Sequence, residues 1–381
     1  MKICELFNLY AGGDLDKENY SKYQTTKYCF PIYSNSLTNK GLYGYTSRPR
    51  YKEDSITITG RGTIGVAEFR KDKFDAIIRL LVLEKKTNNL SQYITYIINH
   101  FIKFNVESTG VPQLTVPQIK NIEIKLPDLS VQKNVVEYLT NIEKYIKSLE
   151  KLIEKKKLIK QGVMQELLTG KKRLPGYNGK WIKKELQELG DFTSGGVDKK
   201  SIPGQKSVKL LNFLDVYHRD FIFKNELYHI VTASDAQIKK CTLKKGDLFF
   251  TPSSELQTDL ALSAVVMEDC PGCVYSYHIT RFRFKDNFDI KFKSYMFNNK
   301  EFLDQASLIA EGSGKRYVVN LSKFKTLTIT YPTDIKEQSA IAEILWDLDQ
   351  EINSLEKDLG KYKNIKQGMM EQLLTGKIRV V

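Results

Sequence analysis

The chain has little of what small secreted or metal-stapled proteins rely on. Its 381 residues contain five cysteines, Cys4, Cys29, Cys241, Cys270 and Cys273. They are odd in number and irregularly spaced, which argues against a disulfide framework and for free thiols. Cys270 and Cys273 form a CxxC in "DCPGCVY", but a structural zinc site needs four ligands and no second CxxC or HxxxH pair accompanies it. The four histidines, His100, His218, His229 and His278, show no metal-ligand spacing. No apolar run approaches the ~18 residues of a membrane span, and "MKICELFNLY" lacks the apolar stretch of a secretory signal. A cytoplasmic chain without membrane contact is expected. There is no GxxxxGK[ST] phosphate loop, and no two prolines are adjacent, which excludes an N-P-P-F/Y amino-methylase motif. Gly60, Gly62 and Gly65 in "TGRGTIG" have the GxGxxG spacing, and Glu84 follows at the distance of a ribose-binding acid. However, "FRKDKFD" lacks the apolar stripe of a crossover helix, so a glycine turn in a strand-rich domain is expected instead of a dinucleotide site.

What is present begins with charge. Lys plus Arg number 59 against 45 Asp plus Glu, a net +14, which biases the chain toward polyanions such as a phosphate backbone. Part of that excess lies in helical runs such as "EKKKLIKQ", which can equally be a solvated face. With 41% hydrophobic and 27% charged residues, the composition is globular, and the length fits two domains of about 150 residues plus connectors.

The strongest signal is an internal repeat. "SLEKLIEKKKLIKQGVMQELLTGKKR" starts at Ser148 and "SLEKDLGKYKNIKQGMMEQLLTGKIR" at Ser354, in one ungapped register. Each copy reads as a long helix. The first opens after Pro127, with Ser130 a plausible N-cap, and closes at Gly170, suited to a left-handed C-terminal cap. From Val131 to Leu168 it would span roughly 57 Å at about 1.5 Å per residue. Val135, Leu139, Ile142, Ile146, Leu149, Ile153, Val163 and Leu167 follow alternating four-and-three spacing, broken only at Lys156 and Lys160. Ile341, Leu345, Leu348, Ile352, Leu355, Leu359, Tyr362, Met369 and Leu373 do the same in the second copy, with Lys366 the one polar break. Two such seams in one chain bury each other most economically as an intramolecular coiled coil. Gly162 and Gly368 share one place in the repeat, although a mid-helix glycine costs about 1 kcal/mol relative to alanine. They mark either an approach of another helix or subunit, or a kink or inherited accident.

Before each helix lies a strand-rich segment. Ser55–Thr59, Leu80–Leu83, Ile122–Leu126, Asp247–Thr251, Ala264–Met267 and Thr326–Thr330 are short runs rich in β-branched and apolar residues. The segments are themselves related: "ELFNLYAGGDLDK" at Glu5 resembles "ELGDFTSGGVDKK" at Glu188, and each half ends in a glycine loop, a strand and a proline. Between these anchors they diverge, as two readers of different targets would. Loops on a fixed scaffold are where recognition resides. "GLYGYTSRPRYK" supplies Tyr43, Tyr45, Arg48, Arg50 and Lys52, the glycine loops of the first half add Arg61 and Gln113, and the second half offers Lys199, Lys200, Lys315, Arg316 and Tyr317. Arg and Lys reach phosphates or the acceptor edge of guanine, and aromatic rings pack on bases or sugars.

The layout resembles the specificity subunit of type I restriction-modification systems over essentially the whole chain. The resemblance rests on the helix starts "LPDLSVQ" and "YPTDIKEQ", the tails "IKQGVMQELLTGK" and "IKQGMMEQLLTGK", and the linker "RLPGYNGKWIKKELQELGDF". It implies an α+β fold with target recognition domains at 1–127 and 187–332, conserved helices at 128–170 and 333–377, and a linker at 171–186. The helices would pair antiparallel, with pseudo-two-fold symmetry, through Leu139, Ile142, Ile146, Leu149, Ile153 and Gly162 against Leu345, Leu348, Ile352, Leu355, Leu359 and Gly368. It further implies no catalytic residues and no cofactor in this chain. Double-stranded DNA would be read as a bipartite target with the helices as ruler. Two methylase subunits and the motor-nuclease subunits would be partners, bringing S-adenosylmethionine, ATP and magnesium. The first domain begins almost at once with "MKICELF", unlike the second, so Met1 reads as a late start or truncated leader. Two other classes stay open: a fused nuclease or methyltransferase, against which the missing motifs count, and a coiled-coil scaffold that does not bind DNA.

Overall fold

The computed structural model describes residues 1–104 and 112–378. The chain divides into two compact units, one of Met1–Glu150 with Lys357–Val381 and one of Lys151–Glu356. Each unit therefore combines one strand-rich domain with part of both long helices.

In the first unit a fully antiparallel sheet runs in the order Phe7–Ala11, Leu81–Lys85, Ser55–Ile58, Ala67–Arg70. Ile56, Ile58, Leu81 and Leu83 are buried, and the helix Ser91–Phe101 covers this sheet with Tyr93, Ile94, Ile97 and Ile98 on its inner side. That face recurs at one-and-four spacing, the stripe a helix needs to lie on a sheet. A second sheet orders Tyr20–Ser21, Leu42–Thr46, Phe30–Tyr33 and Asp75–Ala76, the last pair parallel. Leu373 and Leu374, from the end of the chain's last helix, complete the core beside Val135 and Leu139.

The second unit repeats both sheets. Gly190–Thr193, Thr280–Phe284, Leu248–Phe250 and Ser263–Val266 reproduce the first order and are extended by Phe221–Ile222. Lys206–Leu211 pairs antiparallel with Ile230–Ala233 and parallel with Cys270–Tyr275, as Phe30–Tyr33 pairs with its two neighbours. The frame thus persists through the stretch in which the sequences diverge. In each Gly-Gly one glycine has a steric reason, the first in one half and the second in the other: a Cβ on Gly12 would lie 2.7 Å from the Ala76 carbonyl oxygen, and one on Gly196 2.5 Å from that of Tyr275. The "TGRGTIG" stretch links two antiparallel strands, Ser55–Ile58 and Ala67–Arg70, with no helix after it. Ile122–Leu126 differs from expectation: among the described residues it forms only a bridge, Lys2 to Glu123, whereas Thr328–Pro332 pairs fully with Trp181–Glu185.

The long helices span Leu129–Leu167 and Ile335–Leu374. Ser130, expected as a cap, lies inside the first turn. The repeated glutamine of "LPDLSVQ" and "YPTDIKEQ" anchors each start instead. Gln132 accepts the Leu90 N–H at 3.0 Å and donates to the Pro127 carbonyl at 2.9 Å; Gln338 accepts the Asp289 N–H at 3.0 Å and donates to the Pro332 carbonyl at 2.9 Å. Both side chains are buried. At the other ends Gly170 and Gly376 adopt φ of +70° and +71°, the left-handed turn that lets a helix stop without a Cβ clash.

Candidate nucleic-acid interface

Leu139, Ile146, Leu149, Ile153, Leu345 and Ile352 are buried, and Ile142, Leu348, Leu355 and Leu359 are half-buried. Within the first unit Lys366 meets Glu143 and Lys363 meets Glu150, each at 2.8 Å, and Tyr145 packs edge-on against Tyr362. Within the second, Lys156 meets Glu351 at 2.7 Å, Lys157 meets Glu356 at 2.6 Å and Lys160 meets Asp349 at 2.6 Å. From Glu143–Lys366 to Glu150–Lys363, and from Lys156–Glu351 to Lys160–Asp349, one helix's numbers rise while the other's fall, so within each unit the segments run antiparallel. The lysines that interrupt the seam are therefore cross-helix partners of acids, an arrangement suited to setting register. Exposed pairs add little stability, yet they neutralise the basic run "EKKKLIKQ". Gly162 and Gly368 are exposed, with nothing within 4 Å of a Cβ placed on either.

In the first domain Tyr43 and Arg48 are exposed, and Tyr45, two residues on from Tyr43 in the same strand, is half-buried. Tyr43 lies against Tyr20, ring centroids 5.8 Å apart. Arg50 is held by its partners although it stays exposed: its Nε donates to the buried Asp75 at 2.5 Å and its Nη2 to the Ala76 and Asp14 carbonyls. That carboxylate raises the guanidinium's pKa. Lys52 keeps an exposed side chain while its backbone N–H is held by Glu84. Arg61 and Gln113 come together although 52 positions apart, Arg61 Nη2 donating to Gln113 Oε1 at 3.2 Å. The same corner holds residues that the sequence did not single out. Asn35 accepts from the backbone N–H groups of Gly60 and Arg61 and donates to the Ile78 carbonyl at 2.6 Å. Ile78 and Arg79 are exposed, with φ of +55° and +57°. Two successive non-glycine residues in that region are strained, a feature that clusters at binding sites.

In the second domain the hairpin Glu311–Ser313 and Arg316–Val318 pairs with Ser253–Ser254. Arg316 Nη2 donates to Ser253 Oγ at 2.8 Å. Lys315 and Arg316 line a cavity of about 600 Å³ with Tyr217, Asp259 and His278. Tyr217 is fixed by Asp259 and stacks on Phe213, centroids 5.6 Å apart. Burial first, then the Lys199 and Arg316 charges, hold the His278 imidazole below its ordinary pKa, so it stays neutral at pH 7. Tyr317 is half-buried against the domain core. Lys199 and Lys200 are exposed beside Asp198. Cys270 and Cys273 are buried, and burial pushes the Cys270 thiol up to about 12, which makes it unreactive.

Two copies of one scaffold, each presenting a differently furnished basic corner, define a duplicated recognition protein. The chain belongs to the family described as type I restriction modification DNA specificity domain, matched over residues 1–161 and 178–367. It is a type I restriction-modification specificity subunit, a class that is non-catalytic and acts with DNA and the other subunits of its system. It is 25% identical over 385 residues to the specificity subunit of the type I restriction enzyme MjaVIII from Methanocaldococcus jannaschii, covering 96% of this chain and 88% of that protein. The putative MjaX specificity subunit of the same organism is 23% identical over 348 residues, 84% of this chain and 76% of that one. The fold matches the crystal structure of the type I system S subunit from M. genitalium, with a TM-score of 0.63 at 14% identity, covering 98% and 95% of the two chains. Among the described residues no helix is long and apolar enough to cross a membrane.

Proposed function

We propose that the chain reads a bipartite DNA target, one half per strand-rich domain, with the paired helices setting the unread gap. The domains are taken as 1–127 and 187–332, with the helices at 128–170 and 333–377 and the linker at 171–186. The observation that carries this reading is the retention of both sheets in each domain together with a changed set of side chains at the same corner. A scaffold kept constant while its tip varies is what two sequence readers need. The surfaces proposed to meet DNA are Tyr43, Tyr45, Arg48, Lys52, Arg61 and Gln113 in one domain. Lys199, Lys200, Lys315, Arg316 and Tyr317 serve in the other, while Arg50 supports its loop through Asp75. Two methylase subunits dock on the helices and carry S-adenosylmethionine; the motor-nuclease subunits carry ATP and magnesium.

The test is to co-express the chain with its methylase subunit and map modified adenines across a host genome at single-base resolution. A split motif with two defined halves and a constant gap is expected. A continuous motif, or a complex that binds DNA without sequence preference, would reject the reading.

A further inference from the structure

The two basic corners can be superimposed residue by residue from their strand registers. Ile56 and Ile58 pair with Leu83 and Leu81, and Leu248 and Phe250 pair with Phe282 and Thr280, so Ile58 corresponds to Phe250. Two residues further on, the carbonyls of Gly60 and Pro252 accept the N–H groups of Leu114 and Val319, each at 2.9 Å. The next residues, Arg61 and Ser253, therefore occupy equivalent places. Across from each lies the segment that leads into Leu114 or Val319, with Gln113 in the first domain and Arg316 in the second.

At this shared point each domain places one arginine, supplied from opposite sides. In the first, the arginine is on the strand exit and a glutamine on the loop accepts from its Nη2. In the second, the arginine is on the loop and a serine on the strand exit accepts from its Nη2. Conserving a tethered guanidinium while exchanging the segment that carries it is not what a structural ion pair would require. Among the described residues neither arginine is joined to a carboxylate, unlike Arg50 with Asp75 or Arg283 with Asp247.

We propose that Arg61 and Arg316 are the guanine-reading residues of the two half-sites, a proposal that rests on the DNA-reading function above. Guanine alone presents two acceptors, N7 and O6, side by side in the major groove, matching two parallel N–H donors of one guanidinium. Adenine places a donor beside N7 and repels it. The tether orients the plane before DNA arrives and lowers the ordering cost of a flexible side chain. Each half-site therefore contains at least one G·C pair, read by Arg61 in one half and by Arg316 in the other.

The experiment uses the complex with the methylase subunit. The wild-type motif is mapped first, then those of Arg61→Gln, Arg61→Lys, Arg316→Gln and Arg316→Lys. Each substitution is expected to relax one guanine position in one half by roughly tenfold or more, leaving the other half and the gap unchanged. Lysine does not rescue, because a point charge lacks the paired donors. If a variant melts below the wild type, Gln113→Ala and Ser253→Ala replace it, since they loosen the same guanidinium without removing it and should weaken the same position. A half-site without any G·C pair overturns the proposal. So does an unchanged motif with weaker, less salt-dependent binding, which marks a phosphate contact. A wild-type complex without a split motif instead rejects the underlying function.

Discussion

Replacing the repeated glutamine tests whether the helix-start motif does what its geometry implies. Gln132 is fully buried and makes three hydrogen bonds, to the Leu90 N–H, the Asn89 side chain and the Pro127 carbonyl. Gln132→Ala removes all three and orphans the Leu90 N–H and the Pro127 carbonyl. A buried unsatisfied group costs about 1–3 kcal/mol. Both groups are half-buried, so water relieves part of this and a total of about 2 kcal/mol is expected. For a unit of this size that lowers the melting temperature by roughly 4–8 °C. Gln338→Ala should behave alike, orphaning the Asp289 N–H. Gln132→Glu should be worse than alanine at pH 7, because a carboxylate would face the Asn89 and Pro127 oxygens. The folded state then raises that carboxyl's pKa, so the added penalty disappears as pH falls and the group protonates. Thermal melts give the size, and hydrogen exchange at the Leu90 and Asp289 amides gives the location. Changes below about 0.5 kcal/mol, or unaltered exchange at these amides, would refute the reasoning.

Arg173→Met should cost about 3–5 kcal/mol, because it strands Glu337, which is fully buried and held by Arg173 at 2.6 and 2.8 Å and by Trp181; adding Glu337→Leu should restore most of the loss in a double-mutant melt. Gly162→Ala and Gly368→Ala meet open space and should each stabilise the isolated chain by about 0.5–1 kcal/mol. If they also abolish co-purification with the methylase subunit, a partner helix reaches the backbone there; undiminished complex formation leaves them as inherited helix glycines. His278 has a folded pKa below its ordinary 6.5, so the unfolded chain binds more protons below that value. Stability is accordingly full above about pH 6.5 and declines on acidification through the folded pKa. Melts from pH 7 to 5 should show a smaller decline in His278→Gln, and identical declines would disprove the effect.

The long helices were legible because periodicity over many turns, a proline before and a glycine after are local signals. The Gly-Gly pairs were visible as a repeat, but not their reason, since the opposing carbonyls of Ala76 and Tyr275 lie far along the chain. The loop "GLYGYTSRPRYK" reads as uniformly basic and aromatic, yet the buried Asp75 ties down the Arg50 guanidinium, a partner that lies 25 positions away. Lys156, Lys160 and Lys366 look like flaws in an apolar seam until the opposite helix supplies their acids.

Taken alone, the sequence determined the duplication, the helices with their glycine stops, and the family resemblance, all of which depend on residue types at short or constant spacing. Only the tertiary structure decided which basic side chains are spent on buried carboxylates and which remain at the recognition corner. It also revealed that Arg61 and Arg316 hold one position from opposite segments. A side chain's hydrogen-bond partner is chosen by whichever distant segment the fold brings within about 3 Å, and no local pattern encodes that choice.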